Sequence, residues 1–334
     1  MVLALAAVLA ATFGVARAAE PGASDWAATE TGKVRLIAAT TATGDAASLK
    51  MGLHFRLEPG WKIYWRTPGD AGYPPKVSWT GSENIGTPAI WWPAPKRFQL
   101  AGLQNHGYSG EVVLPLDVPV TRPGQPVRVA ASLDYLACAQ ICVPMQAALT
   151  LALPSGSATP SAFVHDLGRF TALVPGDGAR HGLTVETVEA VGDGDASALR
   201  VALTATEPFD HPDLFVEPAE LASFDAPKVT LSQGGRRAVI EAAVAPGTLQ
   251  RPLAGAPLTV TVVDGSRSLE AVAIPVPGRP SAPADTGGAS LLPMVLVALL
   301  GGVILNLMPC VLPVLSIKLL GALSHGGAAR GHVR

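Results

Sequence analysis

The chain has 334 residues, 49% of them hydrophobic and only 15% charged, with a formal net charge of -2 at pH 7. That charge content lies below the roughly 25% usual for soluble domains, and no Lys/Arg cluster or aromatic-interleaved basic stripe could track a phosphate backbone, which excludes nucleic acid as a partner. Three cysteines are too few for a disulfide-stapled scaffold, and Cys138, Cys142 and Cys310 divide into one close pair and one separate thiol.

Residues 1–18 form an apolar Ala/Leu/Val run ending in Ala16-Arg17-Ala18, a small-residue pattern that fits signal-peptidase cleavage. No Lys or Arg precedes Arg17, which leaves an uncleaved anchor as the alternative. Either form exports the chain and makes its compartment permissive for disulfides.

From 26 to 154 the pattern is one of short β-type runs, at 34–37, 49–57, 62–65, 112–114, 127–129 and 148–153. Pro59-Gly60, Pro68-Gly69-Asp70, Pro74-Pro75 and Pro123-Gly124 separate them as turn punctuation. Short strands at close intervals, without helical periodicity, predict an antiparallel sandwich. Five of the six tryptophans (Trp61, Trp65, Trp79, Trp91 and Trp92) concentrate between 60 and 95 and are assigned to its core. His106 and Tyr108 are read as loop residues, His106 as a solvated one, and neither is assigned to a site.

Residues 154–160, rich in Ser, Pro and Gly, read as a linker, followed by a short helical piece at 163–173. A second β-patterned block covers 161–278, with candidate strands at 185–188, 199–203, 214–216, 239–243, 258–263 and 269–274. It holds no cysteine and no concentrated polar constellation, so its expected role is support or docking. The predicted fold is therefore all-β, two immunoglobulin-like β-sandwich domains followed by a transmembrane α-helix.

Residues 279–289 form a Pro/Gly-rich spacer with nothing to pack. The stretch 290–323 is apolar with one lysine, Lys318, and exceeds the roughly 20 residues that cross a bilayer. Arg330 and Arg334 follow in 324–334 without an acidic residue, which places that tail in the cytoplasm and the β-domains outside.

The pair Cys138 and Cys142 would stand about 13 Å apart on one regular strand, whereas a disulfide needs Cα atoms roughly 4.4 to 6.8 Å apart. A turn must fold the segment back if they bond. A loop that small tends toward strain, and strained, exposed disulfides are the reducible kind. Three chemistries remain open: a structural disulfide, a soft-metal site in which Cys138, Cys142 and Met145 would hold Cu(I), and dithiol/disulfide exchange. Cys310 bears on the choice. It sits in Asn306-Leu-Met-Pro309-Cys310-Val-Leu-Pro313, where two prolines free backbone carbonyls inside an apolar helix, a distortion tolerated only against protein or a water-filled cavity.

The run from Gly301 to Lys318 resembles the first transmembrane segment of the DsbD family of thiol:disulfide interchange proteins. Gly60-Trp-Lys-Ile-Tyr-Trp-Arg-Thr-Pro-Gly-Asp70, Trp92-Pro-Ala-Pro95 and Tyr135-Leu-Ala-Cys-Ala-Gln-Ile-Cys-Val-Pro144 resemble the periplasmic N-terminal region of its ScsB-like branch, which is linked to copper tolerance. The resemblance implies a bacterial inner-membrane protein that relays electrons and carries no cofactor. Reducing equivalents pass through a membrane cysteine pair and a thioredoxin-like domain, the electron donor, to an N-terminal pair that reduces periplasmic disulfide-containing, thioredoxin-fold clients. By position Cys138 and Cys142 match the N-terminal pair and Cys310 one membrane cysteine, so these three are the implied catalytic residues, with the lipid bilayer as a further partner. The second membrane cysteine and the thioredoxin-like domain have no counterpart up to Arg334, from which the resemblance implies a fragment of a longer protein.

Overall fold

The computed structural model describes residues 20–278 and 291–306. The chain divides into two compact units, Met1–Arg279 and Pro280–Arg334.

In the first unit the strands run in chain order as β1 (Ala27–Thr29), β2 (Gly32–Ala38), β3 (Ser48–Leu57), β4 (Lys62–Gly69), β5 (Lys76–Ser78), β6 (Ala89–Ile90), β7 (Lys96–Leu100), β8 (Leu103–Ser109), β9 (Glu111–Pro119), β10 (Val127–Cys138) and β11 (Cys142–Leu153). After a helix, α1 (Val164–Ala172), come β12 (Leu183–Val191), β13 (Ala198–Ala205), β14 (Asp213–Glu217), β15 (Lys228–Ser232), β16 (Arg237–Ala243), β17 (Leu258–Asp264), β18 (Arg267–Ala273) and β19 (Val276–Pro277). The all-β expectation holds among the described residues, which form four sheets. Two of them, β1-β2-β3-β9-β6 and β11-β10-β4-β8-β7 with β5 added against β10, close around one core. The other two, β15-β16-β13-β12-β19 and β14-β17-β18, close around a second.

Strand periodicity explains the first lobe. Along β10 and β11 the odd positions, from Val127 and Val129 to Tyr135 and from Leu153 back to Ala147, face the core, while the even ones face outward. Of the five clustered tryptophans, Trp65 is fully buried, while Trp61, Trp79 and Trp92 pack against the core from its margin. Trp91 departs from the core assignment, being 51% exposed. The stretch 154–160 is not a free linker either. Its backbone pairs with 40–44, Thr41 N–H donating to Thr159 O and Thr43 N–H to Pro154 O, so chain pairing overrides a loop-like composition.

The two lobes meet across a polar and aromatic seam. Phe215, from β14 of the second lobe, is 1% exposed and belongs to the core of the first, edge-on to Trp65 at 5.8 Å and to His106 at 4.7 Å. Arg97 on β7 reaches Asp213 and the carbonyl of Leu214, at 2.9 and 2.7 Å. His106 therefore is not the solvated loop residue that its sequence suggests. It lies on β8 and is 8% exposed, with Nδ1 facing Thr67 O and Nε2 facing Arg97. Burial first, then the Arg97 charge, lowers its pKa to about 4, so the ring is neutral at pH 7. Tyr108 is buried on the same strand, its hydroxyl donating to Pro93 O at 2.7 Å.

In the second unit, α2 (Leu291–Asn306) is a 16-residue apolar helix without a charged residue. Its length is about 24 Å at 1.5 Å per residue, and among the described residues no helix is long and apolar enough to cross a membrane. The remainder of the expected span, Cys310 with it, the signal segment 1–18 and the tail 324–334 lie outside the described residues.

Candidate functional site

β10 and β11 form one hairpin in continuous antiparallel register from Val127↔Leu153 to Cys138↔Cys142. The three residues Ala139, Gln140 and Ile141 make its turn, closed by Ala139 N–H donating to Ile141 O. The turn required for bonding is thus supplied by the hairpin tip, and Cys138 and Cys142 are joined by a disulfide with Cα atoms 4.1 Å apart.

Both cysteines occupy even, outward-facing positions, yet their surroundings differ. Cys142 is exposed, while Cys138 is 1% exposed although it lies outside the sandwich core. What covers Cys138 comes from the neighbouring strand. Lys62 pairs with Cys138 across the β4–β10 ladder, and Tyr64, two residues on, projects from the same face. The Tyr64 hydroxyl lies 3.2 Å from Cys138 Sγ and 3.8 Å from Cys142 Sγ. Disulfide sulfurs carry no proton, so the hydroxyl donates. Tyr64 itself is 1% exposed, and burial raises its pKa, which keeps the phenol protonated.

Two further elements close over the tyrosine. Phe98 on β7 stands 5.8 Å from it, ring to ring. The loop after β4 passes directly above the ring at Gly72, where φ is +94° and a Cβ would fall 2.3 Å from Tyr64 Cζ, so only glycine fits. Downstream the loop is tied to β10 through Tyr73, whose hydroxyl donates to Asp134, and through β5 pairing. On the other side of β4, Gly107 allows β8 to approach so closely that a Cβ would lie 2.1 Å from Ile63 O. The result is a small chamber on the outer face of the sheet, holding one buried sulfur and one open one. At the hairpin tip Ile141 is 67% exposed beside Cys142.

The structure therefore brings two of the sequence-predicted site residues, Cys138 and Cys142, together, and Cys310 falls outside the described residues. Met145 does not join them. It lies three positions beyond Cys142 on the same strand, on the opposite face, and packs against the core, so the three-ligand copper set is not assembled. Among the described residues no group of three or more His, Cys, Asp or Glu could hold a metal ion. Tyr64, Phe98 and Gly72 were not singled out from sequence; the alternation in Lys62-Ile-Tyr-Trp65 does place Lys62 and Tyr64 on the face opposite Ile63 and Trp65.

Residues 33–154 match the family model for the N-terminal region of the thiol:disulfide interchange protein DsbD. Residues 33–154 belong to the DsbD N-terminal family. In this DsbD-type region the matched segment contains the whole disulfide hairpin, Tyr64 and the covering loop, which marks it as a thiol:disulfide interchange module. Residues 173–278 match a domain of unknown function, DUF8393. Among solved structures the chain is similar to the N-terminal periplasmic domain of ScsB from Proteus mirabilis, with a TM-score of 0.63 and 24% sequence identity over 78% of this chain and 100% of that one. At that identity the likeness carries the fold. No curated protein matches the sequence.

Proposed function

We propose that the chain is the periplasmic protein-disulfide reductase module of a transmembrane electron relay, with Cys138 and Cys142 as its exchanging pair. The observation that carries this reading is the asymmetry of the disulfide: one sulfur open to a partner, the other buried under a hydroxyl that can take up developing charge. In the charging half-reaction a donor thiolate attacks Cys142 Sγ, the bond to Cys138 breaks, and Cys138 leaves as a thiolate under the Tyr64 O–H. The donor's second thiol then displaces Cys142, so the donor becomes a disulfide and the pair a dithiol. In the discharging half-reaction the exposed Cys142 thiolate attacks a client disulfide, one client sulfur leaves and takes a proton, and Cys138 resolves the mixed disulfide. Two electrons enter and two leave.

The donor in this reading is a thioredoxin-like domain and the clients are periplasmic thioredoxin-fold proteins, as the DsbD-type match and the periplasmic origin of the similar ScsB domain support. An exposed Ile141 beside the open sulfur suits such a partner, which must bury apolar surface around the exchanging sulfurs. Equilibration with glutathione redox buffers tests the reading. An exchanging pair has a potential above about -300 mV, whereas a purely structural disulfide lies below it and resists the glutathione pool.

A further inference from the structure

Four consecutive residues of β4 link the disulfide to the second lobe. Tyr64 holds Cys138 Sγ, and each of the next three contacts the second lobe across the seam. Trp65 is fully buried against Phe215. Arg66 makes a forked ion pair with Glu217, Nε to Oε1 at 3.1 Å and Nη2 to Oε2 at 2.5 Å, and a further contact to Glu270. Thr67 donates its hydroxyl to Glu217 Oε1 at 2.5 Å. Phe215 and Glu217 lie on β14 and Glu270 on β18, all within the segment matched as a domain of unknown function.

The β4 ladder explains why such support matters. Its pairing with β8 runs through Tyr64↔Gly107 and resumes only at Gly69↔Asn105, so residues 65–68 face a single residue, His106. A strand bulged in this way has lost its regular hydrogen-bonded partner immediately after Tyr64. Besides His106, whose Nδ1 faces Thr67 O, side chains of the second lobe contact the bulge. Arg66 and Glu217 are both largely buried, at 27% and 17% side-chain exposure, where a forked Arg–carboxylate pair fixes direction as well as distance. The covering loop also starts here, since Asp70 N–H donates to Gln104 O and Gly72 presses on the Tyr64 ring.

We propose that the lobe spanning 173–278 is a positioning module for the disulfide, in which Glu217, assisted by Glu270 and Phe215, fixes the bulge at 65–68 and thereby holds the Tyr64 hydroxyl on Cys138 Sγ. This rests on the exchange reading only in that it concerns the same two cysteines. Glu217 is a positioning residue, acting through Tyr64 and touching neither sulfur. An alternative role for the lobe, adding only stability to the chain, would leave the chemistry of the pair untouched.

The test is a double-mutant cycle read by the rate at which reduced glutathione opens the disulfide in the full chain, with no protein partner present. Glu217→Gln removes the charge of the fork at nearly constant shape, and Thr67→Val removes its second anchor from the first lobe. Each is expected to slow opening about fivefold to tenfold while near-ultraviolet circular dichroism stays native, and to have no further effect in a Tyr64→Phe background. Should Glu217→Gln fail to fold, Thr67→Val alone decides by the same criteria. Opening within twofold of wild type in a folded variant overturns the proposal, and so does an equal slowing with Tyr64 already replaced. A wild-type disulfide that glutathione opens but thioredoxin-type dithiols do not would sink the exchange reading while leaving this inference to be decided by the cycle.

Discussion

Replacing Tyr64 with Phe removes one oxygen and leaves the ring in place between Gly72 and Phe98. The lost group is a buried donor 3.2 Å from Cys138 Sγ. A disulfide sulfur is a weak acceptor, so little is lost before reaction, but Cys138 gains negative charge as its bond to Cys142 breaks. A hydrogen bond to a charged group contributes roughly 1.5–3 kcal/mol, which at about 1.4 kcal/mol per decade corresponds to a slowing of roughly 10- to 150-fold. The chamber is dry enough to keep the effect near that range, because Tyr64 and Cys138 are both 1% exposed and water cannot substitute for the hydroxyl. The assay is the opening rate with excess dithiothreitol, followed by alkylation and mass spectrometry. Thermal unfolding of the oxidised form should change by far less than the rate. An opening rate within threefold of wild type would refute the argument, because it would mean that the leaving sulfur draws its stabilisation from elsewhere.

Other consequences concern the surroundings of the pair. Gly72→Ala places a methyl group where the Tyr64 ring stands and must lift the covering loop; in the reduced protein, iodoacetamide should then label Cys138 at least tenfold faster, an increase absent if the loop does not cover it. Ile141→Ser should slow exchange with a thioredoxin-type protein by about tenfold and leave opening by glutathione within about twofold, because it removes exposed apolar contact surface without adding a charge beside Cys142. His106 predicts a pH dependence of stability. Its folded pKa of about 4 lies below the unfolded value of 6.5, so the unfolded chain binds the extra proton and stability falls as pH drops from about 6.5 to 4. A difference of about 2.5 pKa units corresponds to roughly 3 kcal/mol, and urea titrations at pH 7 and pH 4.5 should show most of that loss in wild type and much less in His106→Gln.

The sequence foretold strand segments that stand out as compact apolar runs and missed segments in which polar residues interrupt such a run. β2 and β3 were anticipated almost to their ends, whereas the run at 112–114 marks only the start of β9 and that at 148–153 only the second half of β11. β10 was anticipated only at its start, because Ser132, Asp134 and Leu136 take its outward positions in a strand whose far end carries Cys138. β8 went unread for a different reason. Asn105, His106 and Gly107 look like loop residues, yet all three are buried, His106 between Arg97 of the adjacent strand and Phe215 of the second lobe, which is distant in sequence. The same long-range logic hid most of the candidate site. The cysteines could be picked out by spacing, but the tyrosine that partners them lies 74 residues upstream of Cys138, brought there by the β4–β10 pairing. Short-range pattern could not show that pairing, nor that Met145 would turn away from the sulfurs once β11 became a regular strand.

The central claim is that the two sulfurs have separate roles, Cys142 meeting partners and Cys138 resolving. Incubating Cys138→Ser and Cys142→Ser chains separately with an oxidised thioredoxin-fold protein, and resolving the products on a non-reducing gel, tests this directly. The account predicts a stable mixed disulfide with Cys138→Ser, whose remaining thiol is exposed, and little or none with Cys142→Ser, whose remaining thiol is buried under Tyr64. Trapping by Cys142→Ser alone, or by neither variant, would contradict it.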